Sequence, residues 1–179
     1  MTAMNVLVLG GYGNFGTRIC KALAGHPQIH LLIAGRNPSK AQALADTVGH
    51  HTQGVPLDHE APDLAQQLRA LDIGLVIHSA GPFQAQAYGV AQAAAQAGCH
   101  YIDLADGRRF VCDFPAAMHG AFSSAGRTAV TGASTVPALS SAVVDALCSG
   151  WSSIHTIDTC IAPAQRAPRG EATLAAVLS

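Results

Sequence analysis

Four glycines fall between Gly10 and Gly16 in the stretch NVLVLGGYGNFG, directly behind a short aliphatic run. Glycine loses more conformational freedom on folding than any other residue, so this density calls for a physical reason. Gly11, Gly13 and Gly16 fit the spacing GxGxxG. Between a strand and a helix, the first glycine permits a tight turn and the second lets the backbone approach a pyrophosphate. The third lets helix and strand pack closely. The anion then meets open N–H groups and the positive end of the helix dipole. Gly10, Gly11, Tyr12, Gly13, Asn14, Phe15 and Gly16 are therefore candidate contacts to a dinucleotide.

The end of the second strand decides which dinucleotide. NAD-preferring sites place Asp or Glu there, on the ribose hydroxyls. Here the stretch reads IAGRNPSK and holds no carboxylate. Arg36 can instead bind a 2′-phosphate and stack on adenine, flanked by Asn37, Ser39 and Lys40. NADP (NADPH) is the expected cofactor; the alternative is that Arg36 is an ordinary solvated charge.

Two more loops belong to the same rim. Asp58 ends the third strand in VPLD, where it either accepts from the adenine amino group or caps a helix. After the fourth strand comes HSAGPF, in which Ser79, Ala80, Gly81 and Pro82 offer small side chains and exposed backbone where a cofactor passes closely. A plain tight turn is the alternative there. His78 reads as a hydrogen-bonded core or rim residue, with catalysis as the other reading.

These residues need a scaffold of alternating elements. Strands are expected at Val6–Leu9, Ile29–Ala34, about Thr52–Leu57, Ile73–His78, His100–Leu104 and Thr128–Thr131. Helices are expected at about Phe15–Ala24, Pro38–Val48 (with Asn37 as N-cap), Pro62–Leu71 and Gln84–Ala97. Apolar strands alternating with Ala-rich helices give an α/β, doubly wound parallel sheet, with ligands at the carboxyl ends of its strands. Past Gly132 the character changes: a helix at about Ala138–Cys148, with Ser134 and Thr135 either capping it or meeting an anion, then SIHTIDTCIAP alternating like an antiparallel strand. The final GEATLAAVLS begins an apolar helix and stops, which reads as the start of a truncated second α/β domain. The expected division is 1–133 for the dinucleotide-binding domain and 134–179 for a connecting helix and the beginning of a substrate domain.

Composition narrows the class. The chain has 179 residues, 49% of them hydrophobic and only 12% charged, which suits a well-buried core. A net charge of −1 gives no general pull towards nucleic acid, and no apolar run approaches a membrane span. Cys20, Cys99, Cys112, Cys148 and Cys160 contain no CxxC pair, and the histidines no HExxH, so free thiols in a cytoplasmic protein without a bound metal are expected. The apolar end suggests a homodimer through the second-domain region.

Together VLVLGGYGNFG, AGRNPSKAQAL, HSAGPFQAQAYGVAQAAAQAGCHYIDLADG and GASTVPALSSAVVDAL resemble the NADP-binding Rossmann domain of the saccharopine dehydrogenase-like family, over nearly all of residues 4–148. The resemblance implies a larger protein whose second domain carries most substrate contacts. It places the glycine loop on the pyrophosphate, Arg36 by the adenosine ribose and Ser79–Pro82 on the path to the nicotinamide. It also turns Asp103 and Asp106 towards the cleft as candidate substrate residues. The lysine and histidine acid–base pair of the lysine-forming saccharopine dehydrogenases has no counterpart, since Lys21 and Lys40 are the only lysines.

The glycine loop also satisfies GxxGxxG through Gly10, Gly13 and Gly16, the pattern of short-chain dehydrogenases. Their tyrosine and lysine pair is absent: Tyr12, Tyr88 and Tyr101 are followed four residues on by Gly16, Gln92 and Ala105. Asp103, Asp106, Arg108 and Arg109 either orient a polar small-molecule substrate or form a capped, solvated turn. The leading expectation is an NADP-dependent oxidoreductase represented mainly by its cofactor domain. The alternatives are a non-catalytic NADP sensor and an interaction module with an empty glycine loop.

Overall fold

The computed structural model describes residues 3–160 and 162. Six strands alternate with helices: β1 (Met4–Leu9), α1 (Asn14–Leu23), β2 (Ile29–Gly35), α2 (Pro38–Val48), β3 (Gln53–Pro56), α3 (Leu64–Ala70), β4 (Ile73–His78), α4 (Gly89–Ala97), β5 (His100–Asp103), α5 (Arg108–Ala125) and β6 (Ala129–Val130). An irregular turn over Thr135–Leu139 then leads into α6 (Ser140–Leu147). All strands are parallel, in the order β3-β2-β1-β4-β5-β6. This is the doubly wound sheet expected from the sequence, and its order reverses between β1 and β4, where such folds bind ligands.

Each central strand is buried on both faces. Leu7 and Leu9 of β1 and Leu32 and Ala34 of β2 enter one core, shared with α3, α4 and α5. Val6 and Val8, with Leu31 and Ile33, enter the other, under α1 and α2. Continuous aliphatic runs form strands here because neither face meets water. Small residues let α4 approach closely: Ala91, Ala93, Ala94 and Ala95 are all buried.

The largest departure from expectation is α5, since the sequence reading assigns no element between Leu104 and Thr128. Pro115 lies inside this helix and ordinarily argues against one. The spacing that overrides it is Phe110, Phe114, Met118 and Phe122, all buried on one stripe. Ring contacts from Phe114 to Tyr101 (5.8 Å, stacked) and Tyr88 (5.4 Å) anchor that stripe to the sheet.

Three smaller corrections follow. Helix α4 starts at Gly89 rather than Gln84, because the chain turns at residues 84–85 and the Gln86 side chain is bound back onto His78 and the Ala80 carbonyl. Ser134 caps no helix: its hydroxyl lies within reach of the carbonyls of Ala105 (3.2 Å) and Val136 (2.5 Å). The antiparallel strand expected over SIHTIDTCIAP is irregular and exposed through Cys160, and no strand among the described residues pairs with it. The apolar helix expected at the chain end lies outside the described residues. Leu139, Val143, Leu147 and Trp151 stand exposed at four-residue intervals on and beside α6. No helix among the described residues is long and apolar enough to cross a membrane.

Candidate functional site

Gly10, Gly11 and Gly16 sit where a side chain does not fit, and a Cβ at Gly13 would stand a tight 3.0 Å from the Gly10 carbonyl. Gly10 has φ +75°, and a Cβ there would stand 3.0 Å from Ala80. At Gly11 it would meet Ile33 Cγ2 at 2.8 Å and the Val8 carbonyl at 2.9 Å. At Gly16 it would overlap the Gly10 carbonyl. The turn is closed by Gly13 N–H donating to the Gly10 carbonyl (2.8 Å) and tied to β2 by the N–H groups of Gly10 and Gly11 on the Ala34 carbonyl (3.0 and 3.1 Å). Helix α1 then starts with neither a side-chain cap nor an acidic residue in its first turn. Its positive end therefore faces the crevice without a carboxylate of its own. Phe15 lies exposed on the rim, and Asn14 is half-buried.

At the end of β2 the chain becomes exposed at Arg36, which has no carboxylate partner among the described residues. Asn37 caps α2: its Oδ1 accepts from Lys40 N–H (3.0 Å), with Pro38 as the first helical residue. Ser39 and Lys40 are exposed on that first turn. Tyr12 reaches over from the glycine loop, its hydroxyl accepting from Asn37 N–H (3.0 Å) and its ring filling the space where Gly35 lacks a side chain. Asp58 is exposed; its Oδ1 accepts from Glu60 N–H (3.1 Å) in a local turn and caps no helix.

The β4 loop is stitched to the glycine loop. Both the N–H and the hydroxyl of Ser79 donate to the Leu9 carbonyl (2.9 and 2.8 Å). Ala80 packs on Gly10, with Gly81 half-buried and Pro82 exposed beside it. Behind them, His78 is 1% exposed and its Nε2 stands 3.0 Å from Gln86 Oε1, while Gln86 Nε2 donates to the Ala80 carbonyl (2.7 Å). The amide proton on Ala80 fixes the orientation of Gln86, so His78 carries its proton on Nε2. Burial lowers its pKa to about 4 against the opposing Gln86 bond, keeping it neutral.

The two candidate substrate aspartates part company. Asp103 is fully buried, and its Oδ1 accepts from Gly132 N–H (2.8 Å), Ala105 N–H (3.0 Å) and Thr131 Oγ1 (3.0 Å). It fastens the segment after β6 to the end of β5 instead of facing an open cleft. Asp106 is exposed and accepts from Gln84 Nε2 (3.1 Å). Arg108 and Arg109 are exposed on the first turn of α5. Sequence reasoning missed Gln86, which no motif marks because its partners depend on the turn after β4. The buried Cys20 and Cys99 thiols are pushed up by desolvation, to about 12 and about 11, which leaves them inert at neutral pH. Among the described residues no three His, Cys, Asp or Glu side chains form a metal cluster.

The model of one family, described as the saccharopine dehydrogenase NADP binding domain, matches residues 6–130. No curated protein gives a significant sequence match. Among solved structures, the apo saccharopine dehydrogenase (L-Glu forming) of Saccharomyces cerevisiae superposes with TM-score 0.61 at 21% identity, over 80% of this chain and 31% of that one. GenD2 from gentamicin A biosynthesis, in complex with NAD, gives 0.56 at 19% identity, over 84% of this chain and 40% of that one. Biliverdin reductase from Synechocystis sp. PCC 6803, with biliverdin and NADP+, gives 0.51 at 17% identity, over 72% and 37%. These likenesses concern the fold. This chain spans only 31–40% of the length of those structures, of which one is apo, one holds NAD and one holds NADP+.

Proposed function

The chain belongs to the saccharopine dehydrogenase NADP-binding domain family, and from that premise we propose that it is the cofactor-binding part of an NADP-dependent oxidoreductase. The observation that carries the reading is a glycine cradle with no room for side chains at Gly10, Gly11 and Gly16, next to a strand end that offers Arg36 and Lys40 and no carboxylate. When bound, NADPH supplies the hydride. The chain's residues hold the pyrophosphate on the loop Gly10–Gly16, read the 2′-phosphate with Arg36, Ser39 and Lys40, and guide the nicotinamide half past Ser79–Pro82. Residues 1–133 form the binding domain in this reading, and 134–179 lead into the substrate-bearing region. A small-molecule substrate and a homodimer through that region complete it, and five free cysteines fit a cytoplasmic setting.

Calorimetric titration with NADPH and NADH tests the reading. A preference for NADPH of about tenfold or more supports it, since one charge-assisted bond to the extra phosphate supplies that much. Equal affinities would overturn the NADP assignment. The second reading, a non-catalytic NADP sensor, draws on the tyrosines: Tyr101 is buried, and the Tyr88 hydroxyl donates to the Phe110 carbonyl (2.9 Å). Tight NADPH binding by the full-length protein without oxidation by any carbonyl or imine substrate would favour it.

A further inference from the structure

Resting on the NADP reading above, we propose that Tyr12 is a specificity-determining residue, whose hydroxyl donates to the 2′-phosphate of NADP while it accepts from Asn37 N–H. The residue lies between two glycines of a phosphate loop, yet its side chain is directed across to the end of β2. Its ring occupies the space over Gly35, where an added Cβ would overlap it. The hydroxyl is held 3.0 Å from Asn37 N. Asn37 is itself held, because its Oδ1 receives Lys40 N–H at 3.0 Å. The phenol is thus fixed to the loop that carries Arg36 and to the first turn of α2.

A phenolic oxygen that accepts one hydrogen bond still has its own proton to give. Among the described residues no acceptor for that proton stands within hydrogen-bond reach. A groove of about 390 Å³ opens beside it, lined by Tyr12, Thr17, Lys40, Ala43, Leu44 and Thr47. Lys40 is the charged member of that lining, and no carboxylate contributes. A phosphate ester on the ribose 2′-oxygen brings acceptor oxygens and negative charge to this surface, whereas the NAD hydroxyl brings neither charge nor a strong acceptor. The residue linking the pyrophosphate loop to the 2′-phosphate loop therefore favours one cofactor over the other.

The test is Tyr12→Phe, which keeps the ring over Gly35 and removes only the hydroxyl. Calorimetry with NADPH and NADH is run on wild type, Tyr12→Phe and Arg36→Ala, and repeated with 2′,5′-ADP against 5′-ADP to isolate the adenosine half. Tyr12→Phe is expected to weaken NADPH and 2′,5′-ADP about tenfold and to leave NADH and 5′-ADP within about twofold. Tyr12→Phe is also made in the Arg36→Ala background, because the hydroxyl also holds Asn37 beside Arg36. A purely structural role would weaken all four ligands together or cost nothing further once Arg36 is gone, and either result would overturn the proposal. Wild-type preference retained by Tyr12→Phe but lost in Arg36→Ala would overturn it while leaving the NADP reading intact. A wild type without preference would overturn both.

Discussion

His78 and Gln86 form a hydrogen-bonded pair at 3.0 Å, with the imidazole 1% exposed and its pKa lowered to about 4 by burial. In the unfolded chain the same group titrates near 6.5. Between those values the unfolded state binds the proton and the folded state does not, so stability falls as the pH is lowered through this window. The loss is about 1.4 kcal/mol per pH unit for one such group. Urea unfolding of wild type and His78→Leu from pH 7.5 to pH 4.5 checks this. The variant should lose less stability on acidification, with a slope shallower by about one proton. Parallel slopes would show that His78 is charged in the fold or neutral in both states.

Gly16 and Gly120 make opposite predictions from the same substitution. A Cβ at Gly16 would overlap the Gly10 carbonyl, which is backbone and cannot step aside. Gly16→Ala should therefore reopen the turn, abolish measurable dinucleotide binding and lower stability by about 1–3 kcal/mol, in the range of core overpacking. Gly120 lies within α5 with nothing within 4 Å of its added Cβ. Gly120→Ala should raise stability by roughly 0.5–1 kcal/mol through lost unfolded-state freedom. Thermal melts of both variants beside wild type suffice.

That contrast shows which parts of the molecule are legible without coordinates. Gly11 and Gly16 are readable because a phosphate turn imposes local backbone rules, and the Asn37 and Pro38 helix start is readable for the same reason. The parallel sheet follows from aliphatic runs buried on both faces. Helix α5 escapes because Pro115 and Gly120 interrupt a stripe whose partners, Tyr88 and Tyr101, lie in other elements. The roles of Gln86 and Asp103 escape more completely. Each is set by bonds to backbone groups that only the folded loops bring together.

Arg36 has no protein partner among the described residues that would hold it back from a ligand. Arg36→Ala should weaken NADPH by about ten- to hundredfold, the worth of one or more charge-assisted bonds, and change NADH by much less. The NADPH effect should shrink as salt is raised, since an exposed guanidinium is screened. Affinities measured at low and high ionic strength give both readings in one series. Equal losses for the two cofactors would mean that Arg36 supports the loop and does not read the phosphate.

Asp103 presents the opposite case, a buried carboxylate whose Oδ1 is bound by its own chain while Oδ2 has no hydrogen-bond partner among the described residues. Its Oδ1 holds Ala105 N–H, Gly132 N–H and the Thr131 hydroxyl, and its carbonyl accepts from Ala133 N–H (2.9 Å). Asp103→Ala strands two buried N–H donors and the hydroxyl, at about 1–3 kcal/mol for each unsatisfied group. The expected loss is therefore at least about 3 kcal/mol of unfolding free energy, measured by urea denaturation. Asp103→Asn keeps an acceptor for those donors and should recover a large part of it. Cofactor affinity under folding conditions should change little in Asp103→Asn, because the loops that meet the dinucleotide begin at Gly10, Arg36 and Ser79. A variant that stays as stable as wild type but loses activity in the full-length protein would return Asp103 to the substrate side of the cleft.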